Sequence, residues 1–228
     1  MTDKTIPNKN LLSRFGPLPT NDSYFISFEG IEGSGKTTQI KILQEDLLAQ
    51  GYEVSVFREP GGTQFGEKLR EAILNSTEKV APLAEACLFA ASRAQLLETK
   101  TLPLLKKKGQ AVIVDRYLDS SLAYQGLARG LGVDAILELH QRFPLNITPH
   151  LSFYLKIDLE TSMERQRQRG EKKDYFEKET KEFYQKLIEG YDQASQLFKT
   201  RFLVIDAKAS PQAVAGEIKA GVAKMTGN

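Results

Sequence analysis

Residues 24–51, YFISFEGIEGSGKTTQIKILQEDLLAQG, constrain the fold more than any other stretch. An apolar run from Tyr24 enters a turn that contains Gly30, Gly33 and Gly35. The turn opens directly onto a segment whose Ile40, Leu43, Leu47 and Leu48 share one helical face, and Gly51 stops that segment. A buried strand, a glycine turn and an amphipathic helix in this order demand a layered α/β arrangement.

The alternation continues. YEVSVF, AVIVD at 111–115, HLSFYLKID and RFLVID are short apolar runs separated by helical stretches. Continuously apolar strands alternating with helices predict an α/β fold with a five-stranded parallel sheet and helices on both faces. From Phe176, apolar residues recur at Phe183, Leu187, Tyr191, Ala194 and Phe198, the stripe of one long helix. A chain of 228 residues can bury all of this in a single core. The division expected is a loose, polar arm over residues 1–22 and one domain over 23–228, with a short lid near 165–177. Lys and Arg number 31 against 29 Asp and Glu, a net charge of +2, so no nucleic-acid footprint is expected. No apolar run is long enough to span a bilayer and no signal core precedes the domain, so no membrane role is expected. The single Cys87 excludes an internal disulfide and fits a cytoplasmic setting. It is expected to be buried on its helix as a small apolar residue.

The strongest chemical signal is Gly30-x-x-x-x-Gly35-Lys36-Thr37, between strand and helix. Glycines let the backbone turn with its N–H groups inward, and the helix aims its positive end at the same point. Gly30, Ile31, Glu32, Gly33, Ser34, Gly35, Lys36 and Thr37 are therefore expected to cradle the phosphates of ATP. Lys36 supplies a point charge and the Thr37 hydroxyl a ligand for Mg²⁺. Asp115 ends the third apolar run, where ligands bind in an open α/β sheet, and can hold Mg²⁺ through water. Arg116, next in line, can face a phosphate; taken alone, an ordinary surface Asp–Arg pair explains the two residues equally well.

A second substrate is suggested by REPGGT, residues 58–63, and by the helix after it, which carries Arg70. On a further helix Phe89 and Arg93 are one turn apart. A flat ring beside a planar guanidinium suits a heterocyclic base, although a helical phenylalanine is also common in plain core.

FEGIEGSGKTT, REPGGT with GEKLR, FAASRAQ and DRYLDSSLAYQG stand in that order along the chain. Together they resemble the successive signatures of the bacterial thymidylate kinases, over about residues 24–220. The resemblance implies a fold of the P-loop nucleoside monophosphate kinase type. It implies transfer of the γ-phosphoryl of ATP to dTMP for dTTP synthesis, with Mg²⁺, by a homodimer. It also implies roles. Arg70 and Arg116 would grip the dTMP phosphate. Phe89 would stack on thymine, and Arg93 and Ser121 would contact its edge. Tyr124 would crowd the sugar where a ribose carries its 2′-hydroxyl, and Gln125 would line the pocket.

Glu32 lies awkwardly for a polyanion site, so its carboxylate is expected to turn from ATP towards Arg116 or the second nucleotide's sugar. The related eukaryotic enzymes carry an arginine after that acid; here the position is Gly33. The missing charge is expected from RQRQRGEKKDYFE, in which Arg165 and Arg169 share a helix face, Arg169 being the catalytic candidate with Lys36 and Arg116. The segment departs from the resembling pattern at Tyr175, which replaces a second lid arginine, and by one extra residue before Asp174. His140 and His150 lack a third ligand nearby and are not expected to hold a metal. Two other readings stay open: a kinase of another deoxynucleotide or deoxynucleoside, and a P-loop ATPase switch without a small acceptor.

Overall fold

The computed structural model of the chain describes residues 9–169 and 179–227, with the side chain of Arg169 outside that description. Five strands form one sheet: β1 (Tyr24–Glu29), β2 (Glu53–Arg58), β3 (Gln110–Asp115), β4 (Leu151–Lys156) and β5 (Phe202–Asp206). Their order is β2-β3-β1-β4-β5, and every pairing is parallel. The register sets Phe28 of β1 opposite both Asp115 and Phe153, so the carboxyl ends of the central strands line up.

The central strands bury both faces, and their side chains alternate between two apolar clusters. Ile26, Phe28, Ala111 and Ile113 face one cluster; Phe25, Val112 and Val114 face the other. The first cluster is closed by α2 (Lys36–Ala49), α9 (Lys181–Leu197) and α10 (Pro211–Thr226), the second by α4 (Pro82–Leu96), α5 (Leu102–Leu105) and α7 (Val133–His140). α3 (Gln64–Leu74) packs beside α4, and α8 (Leu159–Arg169) follows β4. α6 (Leu118–Ser121) runs into a π-helical segment, Leu122–Ala128, that carries Tyr124 and Gln125. The long helix expected from Phe176 begins, as described, at Lys181, and buries Phe183, Leu187, Tyr191 and Ala194.

Three expectations are corrected. Leu48 is not on the buried face of α2 but is 51% exposed, because Leu43 and Leu47 already fill the space below. Cys87 is exposed rather than buried, since α4 turns Glu85, Ala86 and Ala90 inward instead. Residues 9–22 are not a loose arm. α1 (Lys9–Leu12) buries Leu11, and Phe15 meets Phe198 edge-on at 6.3 Å. His150 pins the segment: its Nδ1 accepts from the Phe25 N–H at 2.9 Å, and its Nε2 lies 2.9 Å from the Leu18 carbonyl oxygen. The few apolar residues of a largely polar stretch thus find a place in the second cluster. Residues 1–8 of the expected arm lie outside the described residues. No helix among the described residues is long and apolar enough to cross a membrane.

Candidate active site

The glycine turn sits between the end of β1 and the start of α2. Gly30, Gly33 and Gly35 have φ of 136°, 77° and 94°, which is why the turn is built from glycine. A side chain at Gly30 would also meet the Leu155 carbonyl oxygen at 2.7 Å. Lys36 opens α2 and is largely buried. Its Nζ donates to the carbonyls of Gly30 at 3.0 Å and Ile31 at 3.3 Å, so it is held inside the loop. Burial and the neighbouring Arg116 pull its ammonium below the usual lysine range, against Asp115, Glu32 and Glu29, which push the other way. Thr37 is exposed on the first turn of α2. Asp115 ends β3, and its buried Oδ1 has no hydrogen-bond partner among the described residues. An exposed hydroxyl and an unpartnered carboxylate oxygen at the mouth of the loop fit a hard divalent cation.

Glu32 turns away from the loop interior, as its charge requires. It is ion-paired with Arg116 Nη2 and accepts from the Tyr124 hydroxyl at 3.1 Å. Burial alone would raise its carboxyl, but Arg116 and Lys36 outweigh that and hold it below the usual carboxylate range. Arg116 adopts φ 72° at the end of β3. Its Nη1 donates to the Gly30 carbonyl at 3.0 Å and to Tyr191 Oη at 2.8 Å. Behind it, the Ser120 and Tyr191 hydroxyls are 2.8 Å apart, and Ser120 donates to buried Glu29 at 2.6 Å. Burial and the Asp119 carboxylate push Glu29 up to about 8.

The loop also supports α8. Ser162 Oγ donates to the Glu32 carbonyl at 2.7 Å. Arg165 bridges the carbonyls of Gly33 and Ala207 at 3.1 and 3.0 Å. A Cβ at Gly33 would stand 3.1 Å from the Ser162 carbonyl oxygen and 3.4 Å from Arg165 Cβ. Position 33 therefore has a structural reason to lack a side chain. Arg165 is engaged with the loop, whereas Arg167 is exposed on the outer face of α8. Of the lid expected near 165–177, residues 170–177 lie outside the described residues, as does the Arg169 side chain.

Two cavities flank the loop. One, about 530 Å³, is lined by Glu32, Glu59, Pro60, Arg70, Phe89, Arg93, Arg116, Tyr117, Ser120, Ser121, Tyr124 and Gln125. Every residue expected to touch the second nucleotide is among them. Phe89 is half-buried at the wall, not sealed in the core. Arg93 is buried and bound by Glu59, its Nε donating to Oε2 at 2.6 Å. Burial pushes the Glu59 carboxyl up, and Arg93 only partly offsets it. Gln125 donates to Glu85 at 2.7 Å, and Glu85 also pairs with Arg129. The other cavity, about 830 Å³, lies between the loop (Gly33, Ser34, Gly35), Arg165 and Gln168 of α8, and the turn before α10 with Ala207 and Ala209. The residues missed from the sequence are Glu59, Tyr117, Ser120 and His140. Glu59 had a signal inside REPGGT, and Tyr117 and Ser120 had one inside DRYLDSSLAYQG; His140 does not line the cavity and reaches it only through Arg93, 47 residues away in the chain.

An anion-ready loop at the carboxyl end of a parallel sheet, with a cavity on either side, defines the class: a P-loop kinase that brings two nucleotides together. Comparison narrows it. Residues 28–218 match the family model described as Thymidylate kinase, and the chain belongs to that family. The thymidylate kinase of Caldanaerobacter subterraneus subsp. tengcongensis is 46% identical over 190 residues, covering 83% of this chain and 90% of its own. That of Thermosipho africanus is 42% identical over 200 residues, covering 88% and 98%. The crystal structure of thymidylate kinase from Ehrlichia chaffeensis superposes with a TM-score of 0.70 at 30% identity, covering 88% of this chain and 98% of that one.

Proposed function

We infer that the protein transfers the γ-phosphoryl of ATP to dTMP, giving dTDP and ADP. The observation that carries this reading is the gathering of Phe89, Arg93, Arg70 and Arg116 around one cavity that opens beside Glu32 of the phosphate loop. The attacking oxygen of dTMP is already anionic, so the chemistry needs no general base. It needs alignment of two polyanions and compensation of charge on the phosphoryl group in flight. Lys36 leaves the loop carbonyls for the outer phosphates of ATP. Arg70 and Arg116 receive the dTMP phosphate, with Arg116 fixed by Glu32. Phe89 stacks on the base; Ser121 and Gln125 line its edge; Tyr124 closes the sugar side, which favours deoxyribose. Thr37 and, through water, Asp115 would hold Mg²⁺, which neutralises phosphate charge when bound. With Gly33 closed to side chains by α8, the remaining cation is assigned to Arg169 at the end of that helix. The second cavity suits the base and ribose of ATP.

The test is direct. Purified protein with ATP–Mg²⁺ and dTMP yields dTDP, read by chromatography, and dUMP, dCMP, dGMP and thymidine serve as competitors. ATP hydrolysis without transfer to any of these acceptors would overturn the reading. A homodimer in the cytoplasm is carried as part of the proposal. Exposed Phe65 on α3 and Leu83 on neighbouring α4 support an apolar interface, which light scattering tests.

A further inference from the structure

His140 is accounted for by no motif and by no role assigned above. It closes α7 and is fully buried. Its Nδ1 lies 2.8 Å from the Ile136 carbonyl oxygen, and its Nε2 lies 2.8 Å from Arg93 Nη1. A carbonyl only accepts, so Nδ1 carries the proton and Nε2 presents a lone pair. Arg93 is the donor there. Its other Nη1 hydrogen goes to Ser121 Oγ at 3.1 Å, and its Nε–H goes to Glu59. The guanidinium also lies over the Tyr117 ring, 4.8 Å from the centroid. Nη2 makes no hydrogen bond to the described residues, while Arg93 lines the cavity assigned to dTMP.

We propose that His140 is a positioning residue for base recognition, setting the rotation of Arg93 and the direction of its donors. With Nη1 divided between His140 and Ser121, the donor left for a ligand is Nη2. Ser121, whose oxygen already accepts from Arg93, turns its own hydrogen outward. At the Arg93–Ser121 corner the pocket then offers donors to whatever enters. Thymine presents a carbonyl acceptor at C4, where cytosine presents an amino donor, so such a corner selects dTMP over dCMP. Leucine at 140 would leave one Nη1 hydrogen buried without an acceptor and release the guanidinium to rotate. This inference rests on the dTMP reading above.

The experiment compares intact wild-type protein with His140→Gln and His140→Leu, measuring kcat and KM for dTMP and dCMP at saturating ATP–Mg²⁺. Glutamine can place a carbonyl oxygen where Nε2 stands. His140→Leu is expected to raise KM for dTMP about tenfold and narrow the dTMP-to-dCMP preference about tenfold, as one misplaced hydrogen bond would. Its kcat changes much less, and His140→Gln restores both quantities. A purely structural role lowers activity on both nucleotides alike; an unchanged preference in His140→Leu, or no rescue by His140→Gln, overturns the proposal. Wild-type protein inactive on dTMP would refute the parent function instead, and that is seen before any variant is made. Should the variants not fold, nitrogen-15 NMR of the wild-type imidazole decides: a protonated Nδ1 with a bare Nε2 supports the proposal, and any other state overturns it.

Discussion

Gly190→Ala tests the packing that holds the dTMP pocket in shape. Gly190 lies inside α9, where alanine is ordinarily worth roughly 1 kcal/mol over glycine. Here an added Cβ would stand 2.6 Å from Ala123 Cα, and 3.1 Å from both Ala123 Cβ and the Ala123 carbonyl oxygen. Carbon atoms prefer about 3.5–4.0 Å, and backbone atoms cannot rotate out of the way. Either α9 or the Leu122–Ala128 segment must move, at the severe end of the roughly 1–3 kcal/mol that overpacking costs. After the helix gain is subtracted, the net loss is about 2 kcal/mol. For a domain of this size that lowers Tm by about 4–8 °C. Gly216→Ala is the control: it lies inside α10 with nothing within 4 Å of its Cβ position, and the same substitution there should raise Tm by a few degrees. Ala123 precedes Tyr124 and Gln125, so Gly190→Ala should also raise KM for dTMP while leaving that for ATP nearly unchanged. Thermal melts of both variants beside wild type give the answer. A Gly190→Ala protein that melts at or above the wild-type temperature would refute the close contact between α9 and the pocket segment.

Lys36→Ala should abolish dTDP formation with little change in folding; full activity in a coupled assay of ADP release would reject the phosphate-loop assignment. Arg169→Ala should lower kcat at least about 100-fold at an unchanged Tm, by the measure of other arginines that stabilise a phosphoryl in transfer. A near-normal kcat would move the role to another residue of the 165–177 segment. Burial and the facing Arg93 push His140 down to about 3, whereas the unfolded chain takes up its proton near the usual histidine value. The unfolded state thus binds more protons in between, and stability falls as pH drops from about 6.5 towards 3. The His140 share is about 2 kcal/mol lost between pH 7 and 5, so the urea midpoint of wild type should fall relative to that of His140→Gln on acidification.

The sheet was legible because its strands are apolar on both faces, and AVIVD or HLSFYLKID needs no partner to be recognised. The glycine loop was legible because its chemistry is local. The first helices of the nucleotide pocket misled where function inverted the usual pattern. α4 turns Glu85, Ser92 and Arg93 inward and leaves Leu83 62% exposed with Cys87 beside it, so hydropathy placed the thiol on the wrong side. The partners that reverse it, the acid Glu59 against Arg93 and the guanidinium of Arg129 against the acid Glu85, come from elements distant in the chain. His140 is invisible for the same reason: it lies 47 residues from the arginine it holds. Residues 9–22 misled in the other direction, being polar on average yet carrying the few side chains that dock.

Those acids explain why carboxylates crowd a pocket meant for a polyanion. An arginine that waits for a phosphate or a base must sit in a poorly solvated cleft, and an unpaired guanidinium there is costly. It would also lose side-chain freedom at the moment of binding. A glutamate on the fork removes both problems and still leaves donors for the ligand, because the guanidinium has five donors and a carboxylate occupies at most two. Glu32 does this for Arg116, and Glu59 for Arg93. The same pairing explains why neither acid repels the substrate. Each is neutralised by its own arginine, and Glu32 is held further by the Tyr124 hydroxyl, away from the place where the phosphates of ATP are expected to lie.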